Sequence, residues 1–196
     1  NVTTGLSMDD DVLTEAATGH YSLTPLIASL AGADSVLALT RNSRFGSEDQ
    51  VHQILSELST DYGAKRIEIG VDRKHPEIGK ADIVTNLGFV RPLDFSLLSQ
   101  LRQHASVSLM WEPWEFRESD VDLSACQSLG IPILGTNEDD ERLQTGRYVG
   151  HLAVKLLFEM NVEILKSRVL VCGSGKFGRH TVQTLKALGA EIYYVN

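Results

Sequence analysis

The sequence has 196 residues, a hydrophobic fraction of 42% and a formal net charge of -8. This length supports one good hydrophobic core, or one domain and part of a second. The acidic balance argues against nucleic acid and anionic membrane surfaces as the main partners. No apolar run reaches the roughly eighteen residues of a membrane-spanning helix.

The ends and the cysteines of the chain indicate its compartment. The polar, acidic segment 1–11 excludes a signal peptide. Cys126 and Cys172 lie far apart in apolar surroundings, so we expect free thiols and a cytoplasmic protein. Cys172 is predicted to be a small buried core residue. Because the first residue is Asn1 and not methionine, we interpret the sequence as a fragment of a longer protein.

Short apolar runs rich in β-branched residues alternate with amphipathic stretches in the first two thirds of the chain. This pattern, with few hairpin signals, predicts an α/β protein with a mostly parallel, flavodoxin- or Rossmann-like sheet. The predicted elements are a helix at 22–31, a strand at 35–40, a helix at 47–62, strands at 66–71 and 81–87, a helix at 95–102, a strand at 106–111, a helix at 123–129 and a strand at 131–134.

The composition changes after this region, and a strongly charged segment at 137–144 precedes a long helix at 145–160. Strands are predicted at 168–172 and 191–195, with a helix between them. We therefore divide the chain into a first domain at 1–144, a connector helix and linker at 145–166, and a partial dinucleotide-binding Rossmann domain at 167–196. A two-stranded parallel unit cannot bury both of its faces, so we expect the chain to continue, or another chain to complete the sheet.

A glycine pattern joins strand 168–172 to the helix that follows it. The spacing G-x-G-x-x-G between a strand and a helix is typical of dinucleotide binding. Gly173 allows the tight turn, Gly175 lets the backbone approach a pyrophosphate, and Gly178 lets the helix pack closely on the strand. The helix N-terminus then favours the phosphates. The candidate cofactor-binding residues are Gly173, Ser174, Gly175, Lys176, Phe177, Gly178 and Asn196.

Asn196 occupies the position after the second strand at which Asp or Glu normally binds the adenosine ribose. Asparagine can hydrogen-bond a hydroxyl but carries no charge, and it repels a 2′-phosphate less than Asp does. Three alternatives therefore stay open: the turn binds NAD, it binds NADP, or it binds no dinucleotide and serves only in packing.

Polar and aromatic residues follow three predicted strands of the first domain. The residues at and after the end of strand 81–87 include Asn86, Gly88 and Arg91, and those around the end of strand 106–111 include Trp111 and Glu112. The third segment, 41–44, follows strand 35–40 and ends at Arg44. If the strands are parallel, these loops share one sheet edge, where ligands bind in open α/β sheets.

Each of these polar residues has a candidate role. Arg91, Arg117 and Arg44 could bind a carboxylate or phosphate, and Glu112 could act as acid or base. We predict Glu112 and Arg117 as catalytic, and Asn86, Gly88, Arg91 and Trp111 as substrate-binding. A surface ion pair, a packed tryptophan or a turn cap would explain the same residues without a site. The six histidines show no metal-ligand spacing, so no metal is expected.

Residues 81–196 resemble the D-isomer-specific 2-hydroxyacid dehydrogenase superfamily, with a layout similar to adenosylhomocysteinase. The resemblance lies in ADIVTNLG at 81–88, in VDLSACQSLGIPILGTNE at 121–138, in the long helix and in the glycine turn. It implies a two-domain, usually dimeric NAD(P)-dependent oxidoreductase, with a flavodoxin-like substrate domain. Such an enzyme transfers a hydride to or from a small anionic substrate in an interdomain cleft. The family's catalytic arginine, acid and histidine would lie beyond Asn196.

Two other functions stay open. The sequence Ala-Thr-Gly-His-Tyr-Ser at 17–22, before a helix and the strand 35–40, resembles the opening of an S-adenosylmethionine-dependent methyltransferase. Its usual multi-glycine turn is missing, however. The third class is a non-catalytic nucleotide- or ligand-binding or assembly protein that kept the fold.

Overall fold

The structure is a computed structural model that describes residues 10–111, 115–138, 140–173 and 175–195. The chain forms two compact units, Asn1–Thr136 and Asn137–Asn196, called unit 1 and unit 2 here. Among the described helices, none is long and apolar enough to cross a membrane.

Unit 1 contains a six-stranded sheet in which every neighbouring pair of strands is parallel. The order β3-β2-β1-β4-β5-β6 is that of the doubly wound Rossmann sheet, and without β3 it becomes the flavodoxin order. The predicted α/β class is therefore confirmed. The strands are β1 (Asp11–Glu15), β2 (Ser35–Leu39), β3 (Ile67–Gly70), β4 (Ile83–Thr85), β5 (Ser106–Ser108) and β6 (Ile133–Leu134).

The helices of unit 1 are α1 (Leu23–Leu30), α2 (Glu48–Tyr62), α3 (Phe95–Leu98) and α4 (Leu123–Leu129), with 3-10 turns at Gly19–Ser22 and Pro76–Lys80. Local capping chemistry accounts for the ends of the two helices α2 and α4, each of which starts after a side-chain cap and ends at a left-handed glycine. Helix α2 is preceded by Ser47, which forms a capping box with Gln50, and is followed by Gly63 in the left-handed conformation at φ 70°. Val51 and Leu55 form its buried face.

The centre of the unit 1 core is β1, a strand that the sequence pattern did not predict. Leu13 on this strand is fully buried, together with Val84 on β4 and Val107 on β5. The omission has a physical reason: only Val12 and Leu13 are apolar before the polar residues that end the strand. The strands β2 and β4 bury β1 from both sides, and a single-sequence pattern does not show that they pair with it.

An ion network fixes the starts of the central strands. The Arg102 guanidinium donates to Asp82 over 3.0 Å and to Asp11 over 3.2 Å. The backbone N–H of Asp11 also donates to the Asp82 carboxylate, over 2.8 Å. The network holds β1 beside β4. This pairing determines which side chains lie close together at the carboxyl ends of the two strands.

Unit 2 contains α5 (Thr145–Glu159), β7 (Arg168–Cys172), α6 (Lys176–Ala187) and β8 (Glu191–Val195). The two strands pair in parallel from Arg168 opposite Glu191 to Cys172 opposite Val195. The predicted strand, glycine turn, helix and strand are thus present with the expected bounds. The prediction that Cys172 is buried is wrong, because it lies exposed at the end of a two-stranded sheet.

Candidate functional site

The sheet of unit 1 reverses its order between β1 and β4. Strands β1 to β3 extend to one side, and β4 to β6 extend to the other. In open α/β sheets this switch point, at the carboxyl ends of the strands, is where ligands bind. Strand β1 ends at Glu15, and β4 is followed directly by Asn86. Any site in unit 1 is therefore expected around these two residues.

Glu15 is a buried carboxyl, with only 4% of the residue exposed. Its Oε2 atom accepts a hydrogen bond of 2.7 Å from the backbone N–H of Phe89. Burial raises the pKa of the Glu15 carboxyl, while this hydrogen bond and the positive charges of Arg91 and Arg41 act in the opposite direction. Glu15 is the one residue of the site that no sequence motif indicated.

Asn86 is 1% exposed and anchors the loop that follows β5. Its Oδ1 atom accepts a hydrogen bond of 2.7 Å from the backbone N–H of Met110. Its Nδ2 atom is buried and has no acceptor among the described residues. Buried amide groups in native proteins are usually hydrogen-bonded, so this N–H pair is available to a ligand.

Arg91 is held from two sides. Its Nη1 atom donates to Asp120 over 2.9 Å, and its Cζ atom lies 5.1 Å from the centre of the Trp111 ring. The Nε atom of Arg91 and the indole Nε1 atom of Trp111 are buried, and neither has an acceptor among the described residues. The guanidinium is thus positioned before any ligand arrives.

Gly88 allows the loop to close over Glu15. A Cβ atom at this position would lie 3.1 Å from Glu15 Oε2 and 3.7 Å from Arg91 Nη2. The structure therefore brings all four predicted substrate-binding residues to one sheet edge and adds a carboxyl to them. We call Glu15, Asn86, Gly88, Arg91 and Trp111 the switch-point cluster.

Of the two residues predicted as catalytic, only Arg117 is described, and Glu112 lies outside the described residues. Arg117 is exposed, and its carbonyl accepts hydrogen bonds from the backbones of Asp120 and Val121. Within the described ranges its side chain forms no hydrogen bond or ion pair, so its catalytic role stays a prediction. Arg44 stacks on Phe45, 4.6 Å from the ring centre.

The glycine turn of unit 2 has the backbone that its spacing predicts. Gly173 has φ 137° and Gly175 has φ 97°, both in the region that favours glycine. A Cβ atom on Gly178 would lie 2.7 Å from the carbonyl oxygen of Gly173 and 3.1 Å from the Tyr194 hydroxyl. Glycine is thus required at 178 for the close approach of α6 to the turn and to β8.

The other predicted cofactor-binding residues are only partly described. Lys176 at the start of α6 forms an ion pair with Glu138, and its Nζ atom lies 6.0 Å from the Phe177 ring centre. A cavity of about 220 Å³ beside this helix start is lined by residues that include Glu138, Arg147 and Lys176. Ser174 and Asn196 lie outside the described residues.

Concave surfaces do not by themselves identify the site in unit 1. A concavity of about 700 Å³ lies between α2 and β3 and contains no member of the switch-point cluster. Within the described ranges, no group of three or more His, Cys, Asp or Glu side chains is arranged to hold a metal ion. The polar residues at the carboxyl ends of the strands therefore indicate the site in unit 1 better than the concave surfaces do.

Replacing Glu15 by glutamine is expected to stabilise unit 1 at neutral and alkaline pH. Burial raises the pKa of this carboxyl above the ordinary 4.5, so the folded state binds the proton more readily than the unfolded state. Stability is therefore lost as the pH rises from about 4.5 through the raised pKa. Thermal unfolding followed by circular dichroism should show a gain in Tm for Glu15→Gln that vanishes below about pH 4.

The exposed Glu118 provides the matched control for this pH series. Glu118→Gln makes the same change of charge without burial, and its Tm should follow the unmodified protein at every pH. A stabilisation by Glu15→Gln of equal size at acidic and alkaline pH would contradict the prediction.

Comparison with known proteins shows similarity in structure only. No protein-family model matches the chain, and no curated protein matches its sequence. A dipicolinate synthase structure from Bacillus halodurans matches over 96% of the chain with a TM-score of 0.57 at 12% identity. The dipicolinate synthase of Bacillus subtilis matches with a TM-score of 0.56 at 12% identity. A pyruvate reductase of Chlamydomonas reinhardtii matches with a TM-score of 0.52 at 15% identity. Both matches again cover 96% of the chain.

These matches agree with the α/β fold that the sequence resemblance implied, and they concern the fold alone. The chain spans between 52% and 63% of the length of these three structures. At identities this low the likeness concerns architecture, and function has to be argued from the residues themselves.

Proposed function

We propose that the protein is an NAD(P)-dependent oxidoreductase-like protein, in which unit 2 binds the dinucleotide and unit 1 binds a small anionic substrate. The proposed reaction is hydride transfer between the nicotinamide and that substrate. The observation that carries the proposal is the turn between β7 and α6, with left-handed glycines at 173 and 175 and close packing at 178.

The turn supports dinucleotide binding for a geometric reason. A tight strand-to-helix turn without side chains lets a pyrophosphate approach the backbone, and the positive end of the α6 dipole favours its charge. The Gly173 N–H donates to the Val195 carbonyl over 3.0 Å, which fixes the turn against β8. Lys176 adds a positive charge at the same helix start.

The switch-point cluster supports an anionic substrate. Arg91 supplies positive charge, and Asn86 and Trp111 supply N–H donors without acceptors among the described residues. Among the structural neighbours, the pyruvate reductase acts by its name on a small carboxylate, a substrate class that this donor set fits. Gly88 keeps the loop close to these groups.

Assembly and location complete the proposal. Leu170 is 62% exposed and Tyr193 is 57% exposed on the two strands of unit 2, which supports a homodimer or a sheet completed by further polypeptide. The two cysteines are unpaired, in agreement with a reducing cytoplasm.

Binding of nicotinamide nucleotides tests the proposal directly. We expect NADH or NADPH to raise the Tm and to enhance nicotinamide fluorescence, with a dissociation constant of about 1 to 100 μM, equivalent to roughly 5 to 8 kcal/mol. Calorimetric titration with each nucleotide would measure it. ADP-ribose, which keeps the pyrophosphate but lacks the nicotinamide, should compete.

S-adenosylmethionine serves as the contrasting ligand. A response to this compound alone would replace the proposal by the methyltransferase alternative. No response to any of these ligands would overturn the dinucleotide proposal and favour a non-catalytic protein that kept the fold.

A further inference from the structure

We infer that Glu15 is a binding residue of the switch-point cluster and that, in its neutral form, it completes a site for one carboxylate group. This inference rests on the substrate part of the proposed function and adds to it the residue that controls the charge of the site. It predicts that the ligand binds together with a proton held by Glu15.

Four buried polar atoms at this edge have no hydrogen-bond partner among the described residues. Asn86 Nδ2, Arg91 Nε and Trp111 Nε1 are buried donors without a partner among the described residues, and the Thr40 hydroxyl, directly after β2, is in the same state. Leaving one such group unsatisfied costs about 1 to 3 kcal/mol. Three of the four can only donate, so the ligand that satisfies them must be an acceptor, and a carboxylate provides four lone-pair sites.

The charges around Glu15 determine how many carboxylates fit. The charged groups that influence it are Arg41, which stacks on Phe89 at 5.0 Å, and Arg91, which is paired with Asp120. Among the described groups around Glu15, two positive and two negative charges balance when Glu15 is ionised. With Glu15 neutral, one positive charge is unmatched, and a single carboxylate restores the balance.

Burial supports the neutral form. Strand β1 is central and places Glu15 at its end, where only 4% of the residue is exposed, and this burial raises the pKa of the carboxyl. A neutral carboxyl also has an O–H that can donate to a ligand oxygen while Oε2 still accepts from the Phe89 N–H. An ionised Glu15 would instead repel an anion at this position.

The test uses pyruvate as the carboxylate probe and pyruvamide as an uncharged control of similar shape, with no nucleotide present. The chain has two tryptophans, Trp111 and Trp114, so the indole N–H signals in proton–nitrogen correlation spectra are few, and Trp111→Phe assigns them. We expect pyruvate to shift the Trp111 signal and pyruvamide to leave it unchanged.

The pH dependence of the affinity for pyruvate then distinguishes a role of Glu15 from simple attraction of the carboxylate to Arg91. In the unmodified protein the affinity for pyruvate should fall by up to about tenfold per pH unit above the Glu15 pKa. In Glu15→Gln, which keeps the shape and an acceptor for Phe89, the affinity should match the low-pH value and stay flat between about pH 5 and 9. The unmodified protein alone already tests the predicted slope.

Three results would overturn the inference: no shift of the Trp111 signal by pyruvate, an equal shift by pyruvamide, or an unchanged pH profile in Glu15→Gln. Each is distinguishable from failure of the dinucleotide proposal. If NADH binds and pyruvate does not, this inference is lost and the dinucleotide proposal stands. If pyruvate binds with the predicted pH profile and NADH does not, the dinucleotide proposal is lost.

Discussion

Replacing Gly178 by alanine is expected to weaken nucleotide binding and to destabilise unit 2. The added Cβ atom would lie 2.7 Å from the Gly173 carbonyl oxygen, so α6 or the turn must move. Overpacking against rigid backbone costs about 1 to 3 kcal/mol. Because the same movement displaces the pyrophosphate site, we expect the affinity for NADH or NADPH to fall by at least about tenfold. Chemical denaturation and calorimetric titration would measure the two effects.

Gln183 on the same helix provides the control. It is exposed, so Gln183→Ala should change stability by no more than about 0.5 kcal/mol and leave nucleotide affinity unchanged. A Gly178→Ala variant with the stability and affinity of the unmodified protein would show that the turn is not the nucleotide site.

Replacing Arg91 by alanine is expected to have the largest effect in unit 1. The side chain of Asp120, which pairs with Arg91 over 2.9 Å, is 17% exposed and would lose its partner. Removing one member of a largely buried pair costs about 3 kcal/mol or more. The contact with the Trp111 ring would also be lost, and the Glu15 carboxyl would lose one of its two neighbouring positive charges. Denaturant unfolding of the variant would measure the loss.

Arg91→Lys separates charge from shape. Lysine keeps the positive charge but lacks the planar guanidinium that stacks on Trp111 and donates to Asp120, so an intermediate loss of stability is expected. Arg66, which pairs with Asp34 on the surface, gives a matched control: the side chains are 65% and 47% exposed, and Arg66→Ala should cost less than about 1 kcal/mol. Equal losses for Arg91→Ala and Arg66→Ala would contradict the interpretation.

The glycine turn was predictable because its causes are local. Strands 168–172 and 191–195 have the same bounds in the structure as in the sequence pattern. The spacing of the three glycines follows from local requirements within six neighbouring residues. Gly173 and Gly175 adopt left-handed backbone conformations, and Gly178 lies in a close contact. Such short-range requirements restrict the residue type directly and can be read without knowledge of the rest of the chain.

The switch-point cluster was predictable only in part. Asn86, Gly88, Arg91 and Trp111 follow strands whose apolar runs are clear, and parallel strands place those loops at one edge. Glu15 is the last residue of β1, which has only two apolar residues ahead of its polar end, so the sequence pattern contains no signal for this residue. Its proximity to Gly88 and Phe89, more than seventy residues away in the chain, results from the pairing of β1 with β4.

By itself the sequence determined the α/β class, the parallel sheet and the glycine turn, because periodicity and glycine spacing are properties of short segments. It also indicated that Asn86, Gly88, Arg91 and Trp111 lie at one sheet edge. Only the tertiary structure decided that β1 is the central strand, that Glu15 is a buried carboxyl at the switch point, and that Cys172 is exposed. These features depend on burial and on pairing between distant segments. Burial is produced by neighbours that a single sequence does not specify, and the charge and pKa of the site follow from that burial.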